Sequence, residues 1–106
     1  MRQLDANRVE RLLKSAEPKP LLLDVREPNE FAYCRIEGSL HIPMGEIASR
    51  LNELDPDREI VVVCHHGMRS FQVAQFLETQ GFERIINLSG GIDAWAREVD
   101  PGMPRY

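Results

Sequence analysis

Cysteine is scarce in this chain. With only Cys34 and Cys64 among 106 residues, neither a disulfide framework nor a zinc site built on paired cysteines has the residues it needs, so each thiol requires its own explanation. No apolar run approaches the roughly 18 residues of a membrane span. The opening residues Met1, Arg2, Gln3, Leu4 and Asp5 also lack the apolar stretch of a secretory signal. Together these absences lead to the expectation of a cytoplasmic protein without a membrane partner. Positive charge is not in excess either, since 13 Lys+Arg against 17 Asp+Glu leave a formal charge of −4. A nucleic-acid partner, which would call for Lys and Arg clustered on one face, is therefore not expected. Internal repeats, low-complexity tracts and linkers are missing as well, and residues 1–106 read as one domain. The 42% of hydrophobic residues suffices for a core, which argues against disorder.

What is present has the rhythm of an α/β layer fold. Three short apolar runs, Leu21 to Val25, Ile60 to Val63 and Ile85 to Leu88, lack polar alternation and fit strands buried on both faces of a parallel sheet. Helical periodicity fills the intervals. Asp5 is placed to cap a first helix whose buried stripe is Val9, Leu12, Leu13 and Ala16, with Leu4 as a hydrophobic staple on Val9. A short helical turn is expected from Pro28 to Tyr33. A second helix is expected after Pro43, with Met44, Ile47, Ala48, Leu51 and Leu54 on one face, ending before Pro56. A third spans about Ser70 to Gln80, with Gly81 as a left-handed stop and Phe82 folding back, and a last one runs from about Ile92 to Val99. The tail Pro101 to Tyr106 reads as a surface strap or a frayed end.

The segment richest in chemistry is Cys64-His65-His66-Gly67-Met68-Arg69-Ser70, between a strand and a helix. Ligands of parallel α/β sheets bind beyond the carboxyl ends of strands, which is where Cys64 falls. If His65 to Arg69 curl into a cradle, a turn that Gly67 permits, their backbone N–H groups and those of the following helix converge on one point and favour an anion there. A free thiol is only a few per cent ionised at neutral pH, so such a cradle makes a better nucleophile. The charge pattern agrees: from Ile60 to Leu77 there is no Asp or Glu, and Arg69 is the one permanent charge. The competing reading of a lone cysteine as a small buried hydrophobe does not account for the Gly, the Arg and the helix start in this order. The enzymatic reading requires that the thiol reach solvent and that the amides face it.

These features occur with others in a telling order. Leu23-Asp24-Val25-Arg26-Glu27 precedes Glu30-Phe31, Ile36-Glu37-Gly38-Ser39 runs to Ile42-Pro43, the Cys64 to Ser70 loop follows, and Leu88-Ser89-Gly90-Gly91-Ile92 leads to Ala94-Trp95. In this the chain resembles a single-domain rhodanese, of the rhodanese-like sulfurtransferase family. The resemblance implies a rhodanese-like fold: a five-stranded, mostly parallel sheet flanked by helices on both faces. It implies that Cys64 accepts a sulfane sulfur from a small donor such as thiosulfate and passes it, as a persulfide, to cyanide, a thiol or an acceptor protein. It implies no metal and no organic cofactor. His65, His66, Gly67, Met68 and Arg69 would bind substrate, the backbone donating and Arg69 adding positive charge and anchoring the loop. Asp24, Arg26 and Ser70 would give structural support. The ending from Gly90 to Tyr106 is similar to rhodanese domains appended to adenylating enzymes, which suggests delivery of sulfur to a carrier protein. One departure stands out, because Cys34-Arg35 occupies the place where the family commonly has Gly-His.

Rival readings are weaker. The family's phosphatase and arsenate-reductase relatives have five residues between Cys and Arg, whereas Cys64 and Arg69 enclose four, a smaller cradle suited to a sulfur atom. A non-catalytic interaction module typically loses the cysteine that this chain keeps. A metal site of Cys64, His65 and His66 would need three adjacent side chains to converge, which neighbouring residues do not do. Cys34 as a resolving thiol would need a Cα separation of about 4–7 Å from Cys64, which sequence does not supply. His41 reads as a strand-end residue and Trp95 as core beneath the Gly90-Gly91 turn.

Overall fold

The computed structural model describes residues 1–106. Strands β1 (Arg2–Leu4), β2 (Leu21–Asp24), β3 (Leu40–His41), β4 (Ile60–Val63) and β5 (Ile85–Leu88) form one sheet in the order β1-β5-β4-β2-β3. Every pairing is parallel. Helices α1 (Ala6–Ser15), α2 (Pro28–Tyr33) and α3 (Met68–Thr79) lie in the crossovers, and α4 (Gly91–Glu98) follows the last strand. The fold is therefore the α/β class expected from the three apolar runs. β1 and β3 carry no such run, because edge strands this short hold few buried positions.

The side-chain alternation of the central strands divides the core in two. Leu22, Val61, Val63, Ile86 and Leu88 face α1 and α4 and pack with Val9, Ile92 and Trp95. Leu23, Ile60, Val62 and Ile85 face the opposite way and pack with Val73, Ala74 and Leu77 of α3. Cys64 continues the second face, whereas Cys34 belongs to the first. The two thiols thus belong to different halves of the core, and both are free.

The first helix begins as its sequence predicts, with the Asp5 carboxylate accepting from the Arg8 amide at 2.9 Å. The helix expected after Pro43 is instead two 3₁₀ segments, Met44–Glu46 and Ala48–Glu53, with a non-helical Arg50. Gly45, Ser49 and Asn52 give this stretch low helix propensity. Its hydrogen bonds close over three residues, as in Ile47 N–H to Met44 O at 3.3 Å and Arg50 N–H to Ile47 O at 3.1 Å. The apolar stripe survives the change, with Ile47 and Leu54 buried. Helix α3 starts two residues ahead of the expected Ser70, so Met68 and Arg69 belong to its first turn and not to a free loop. Its end follows the sequence signal: Gly81 has φ +92° and the Phe82 amide returns to Leu77 O at 3.1 Å. The tail is a strap, with Met103 buried and Arg105 donating to Asp93.

Candidate functional site

Strand β4 ends at Val63 and delivers Cys64 to the carboxyl edge of the sheet, where the chain must turn within three residues to begin α3. Gly67 makes that turn at φ +101°, close enough to the turn between β5 and α4 that a Cβ there would stand 3.2 Å from the Gly90 nitrogen. Helix α4 holds the loop from the other side. Its Ile92 and Asp93 amides, free because they open the helix, donate to the carbonyls of Cys64 at 2.8 Å and His65 at 3.1 Å. A Cβ on Gly91 would meet the His65 carbonyl oxygen at 2.3 Å, so the contact between loop and helix depends on glycine.

The Cys64 sulfur has two polar neighbours. The Gly67 N–H donates to Sγ at 3.1 Å, and Ser70 Oγ lies 3.2 Å away. This corrects the expected ring of amides: among residues 65–69 only Gly67 donates to the sulfur, while Met68 and Arg69 open α3 with amides that do not reach it. Accessibility also departs from expectation. Cys64 is 1% exposed, closed beneath its own loop, although the enzymatic reading calls for an open thiol.

Arg69 does not lend its charge to the sulfur alone. Its guanidinium forks onto Glu30 of α2, Nη1 to Oε1 at 2.7 Å and Nη2 to Oε2 at 3.0 Å. That hydrogen-bonded pairing holds the Glu30 carboxyl down at about 2, against the opposing effect of burial. It also raises Arg69. Arg69 is thus tied to α2, and its positive charge near Cys64 is offset by a carboxylate. Asp24 and Arg26 form a fully buried pair, with Nη2 to Oδ2 at 2.8 Å and Nε on both carboxylate oxygens. Arg26 also donates to the Cys34 carbonyl at 2.6 Å and to the Tyr106 hydroxyl at 2.9 Å. The fork fixes the end of β2 against the residue that opens the atypical Cys34-Arg35 segment.

His65 is sandwiched between His66 and Tyr106, with ring centroids 3.9 Å apart on both sides. Burial, helped by His66, pushes the His65 imidazole below its ordinary value, and its Nε2 is buried with no partner. His66 and the 75% exposed Met68 border a cleft of about 500 Å³ on the outer side of the loop, together with Gln3, Phe71, Gln72 and Asn87. His65, His66 and Asp93 bring ligand atoms within 4.8 Å of one another. The two imidazoles are packed against each other at a 32° tilt, however, and Asp93 is already engaged by Arg105 at 3.1 Å and Arg97 at 3.8 Å. The set is poorly disposed to chelate a cation.

Three residues of the site escape a sequence reading. Glu30 was marked only by its place beside Phe31. Tyr106 lies in the tail, and nothing local indicates that its hydroxyl donates to Glu30 at 2.8 Å while its ring covers His65. Burial pushes the Tyr106 phenol up to about 12. Asn87 did carry a signal, being the one polar residue in an otherwise apolar strand run. Its amide joins Ser70, Gly67 and Gln3. His41 closes β3 with Nε2 2.7 Å from the Arg26 carbonyl, and Trp95 is core beside α1.

Comparison with known proteins gives this geometry a context. Residues 5–98 match the profile of the Rhodanese-like domain. A sulfurtransferase of Allochromatium vinosum is 44% identical over 84 residues, covering 79% of this chain and 76% of that protein. The thiosulfate sulfurtransferase GlpE of Glaesserella parasuis is 36% identical over 81 residues, covering 76% and 75% respectively. Among solved structures, a rhodanese-like domain protein from Staphylococcus aureus superposes with a TM-score of 0.85 at 29% identity, covering 100% of this chain and 99% of that one.

Proposed function

Because the chain belongs to the rhodanese-like family, we propose that it is a sulfurtransferase in which Cys64 carries the transferred sulfur. The observation that supports this most is the pairing of one main-chain amide and one hydroxyl with Sγ, at 3.1 and 3.2 Å, at the carboxyl end of a central parallel strand. The amide suits a sulfur that carries negative charge as attacker and again as leaving group, and the hydroxyl can turn its proton to that sulfur when the charge is there.

In the proposed cycle the Cys64 thiolate attacks the outer sulfur of thiosulfate. The new S–S bond forms as the old one breaks, and sulfite departs with the electron pair. A thiophile such as cyanide, a thiol or a protein acceptor then attacks the outer sulfur of the persulfide and returns Cys64 to the thiolate. No net oxidant or reductant is needed. The loop amides that do not reach Sγ are those left for the outer sulfur, and the short spacing to Arg69 suits an atom of that size. Arg69, tied to Glu30, keeps the first turn of α3 in place, and the Asp24–Arg26 pair supports the neighbouring strand end. With the thiol closed beneath its loop, donor entry requires residues 65–68 and the Tyr106 ring above them to give way.

The 1% exposure of Cys64 favours a second reading, a docking module that no longer moves sulfur. A thiosulfate:cyanide transfer assay on the intact chain and on Cys64→Ser separates the two. Turnover that disappears in the variant supports sulfur transfer, whereas equal rates in both exclude Cys64 as the carrier. No turnover and no loading of the intact chain supports docking.

A further inference from the structure

Resting on the reading of Cys64 as the sulfur carrier, we propose that Asn87 is a positioning residue that sets the direction of the Ser70 hydroxyl proton, and through it the charge at which Cys64 rests. Asn87 is 2% exposed and lies on the sheet face shared by Cys64 and α3. Its Nδ2 is 3.2 Å from the Gly67 carbonyl oxygen and 2.7 Å from Gln3 Oε1, and its Oδ1 is 2.5 Å from Ser70 Oγ.

A main-chain carbonyl only accepts, so the amide NH₂ must be the group that faces Gly67. The amide oxygen must then face Ser70, and since it too only accepts, Ser70 donates to it. A hydroxyl has one proton. What Ser70 presents to Sγ at 3.2 Å is therefore a lone pair, and the bond is complete when the thiol keeps its proton and donates it. Ionisation sends the thiol proton to water and turns the Ser70 O–H from Asn87 Oδ1 to Sγ. That leaves Oδ1 buried without a donor, which opposes the thiolate. Once a persulfide forms, its charge resides on the outer sulfur and the Ser70 proton can return to Asn87. The same amide thus favours the loaded state over the empty thiolate, while its grip on the Gly67 carbonyl holds in place the residue whose N–H reaches Sγ.

Thiolate absorbance in the ultraviolet, titrated against pH with the Cys64→Ser protein as the blank, reads this directly and needs no sulfur donor. Cys34 and the tyrosines are present in the blank and subtract out. Asn87→Ala frees the Ser70 proton for the sulfur, and the midpoint is expected to fall by about one pH unit, the equivalent of one hydrogen bond. In a Ser70→Ala background the same change is expected to produce no fall. The Gly67 contact is lost in both backgrounds and cancels. So do Arg69 and Glu30 from α3 and α2, Asp24 and Arg26 beyond β2, Asp93 of α4, and His65 and His66 in the loop. An equal shift in the two backgrounds, or a rise on Asn87→Ala, overturns the proposal. Should Asn87→Ala not fold, Asn87→Asp keeps the shape and the acceptor. Its midpoint is expected to rise, and to rise more with Ser70 present than with Ser70→Ala; equal rises overturn the proposal. Failure of sulfur loading with an intact Ser70-dependent shift would reject the sulfurtransferase reading and leave the Asn87 assignment standing.

Discussion

Replacing Glu30 by Gln is a sharp test of how the site is held together. The carboxylate accepts both forks of Arg69, the Tyr106 hydroxyl and the Glu27 amide at 3.0 Å, so one side chain ties α2, the first turn of α3 and the C-terminal strap. Glu30→Gln keeps the shape and removes the charge. Charge-assisted hydrogen bonds contribute about 1.5–3 kcal/mol when buried. The Arg69 side chain is 35% exposed, so water screens part of this, and a cost of about 1–2 kcal/mol at neutral pH is expected. For a chain of this length that corresponds to roughly 5–10 °C in Tm. The pH dependence gives the sign. The folded carboxyl sits at about 2, below its ordinary value of 4.5. Its contribution is therefore whole above pH 4.5, is lost as pH falls toward 2, and the difference between the two proteins closes across that window. Urea denaturation of both proteins through the window supplies the measurement. A stability gap that is absent at neutral pH, or one that stays constant down to about pH 2, would refute the latch.

Other variants probe separate parts of the account. Gly91→Ala would press a methyl group into the His65 and Cys64 carbonyls, and a loss of about 3 kcal/mol or more is expected in chemical denaturation; a neutral effect would show that the loop is not clamped by α4. Cys64→Ser is expected to leave the unfolding free energy within about 1.5 kcal/mol of the parent while eliminating transfer. Tyr106→Ala removes the ring stacked on His65 at 3.9 Å and 10°. Such a stack is worth about 0.5–1.5 kcal/mol, so alkylation of Cys64 should quicken by roughly two- to tenfold. An unchanged rate would mean that the strap does not govern access.

The sequence was most legible where one local pattern decides one local structure. Ile60 to Val63, with no polar interruption, could only be a strand buried on both faces. Gly81 with Phe82 marked the end of α3 because a left-handed stop and an apolar residue after it have a fixed geometry. The stretch after Pro43 misled because its apolar spacing satisfies an α-helix and a pair of 3₁₀ turns equally well, and the choice fell to the weak propensities of Gly45, Ser49 and Asn52. At the site, Cys64 and Gly67 were visible from the loop itself. The partners that orient the loop were not, since Glu30 lies 39 residues from Arg69 and Tyr106 lies 76 from Glu30. Arg69 therefore looked like an unopposed charge beside the thiol. Burial of Cys64 was hidden because nothing in the loop's sequence shows that residues 65–68 fold back over the thiol.

The central claim is that the Cys64 sulfur holds a second sulfur atom. Intact-mass and peptide mass spectrometry of the purified chain after exposure to thiosulfate tests it most directly. The account predicts a gain of one sulfur atom confined to the peptide containing Cys64, reversed by cyanide and absent in Cys64→Ser. Sulfur found on Cys34 instead, or a chain that stays unmodified while correctly folded, would contradict it.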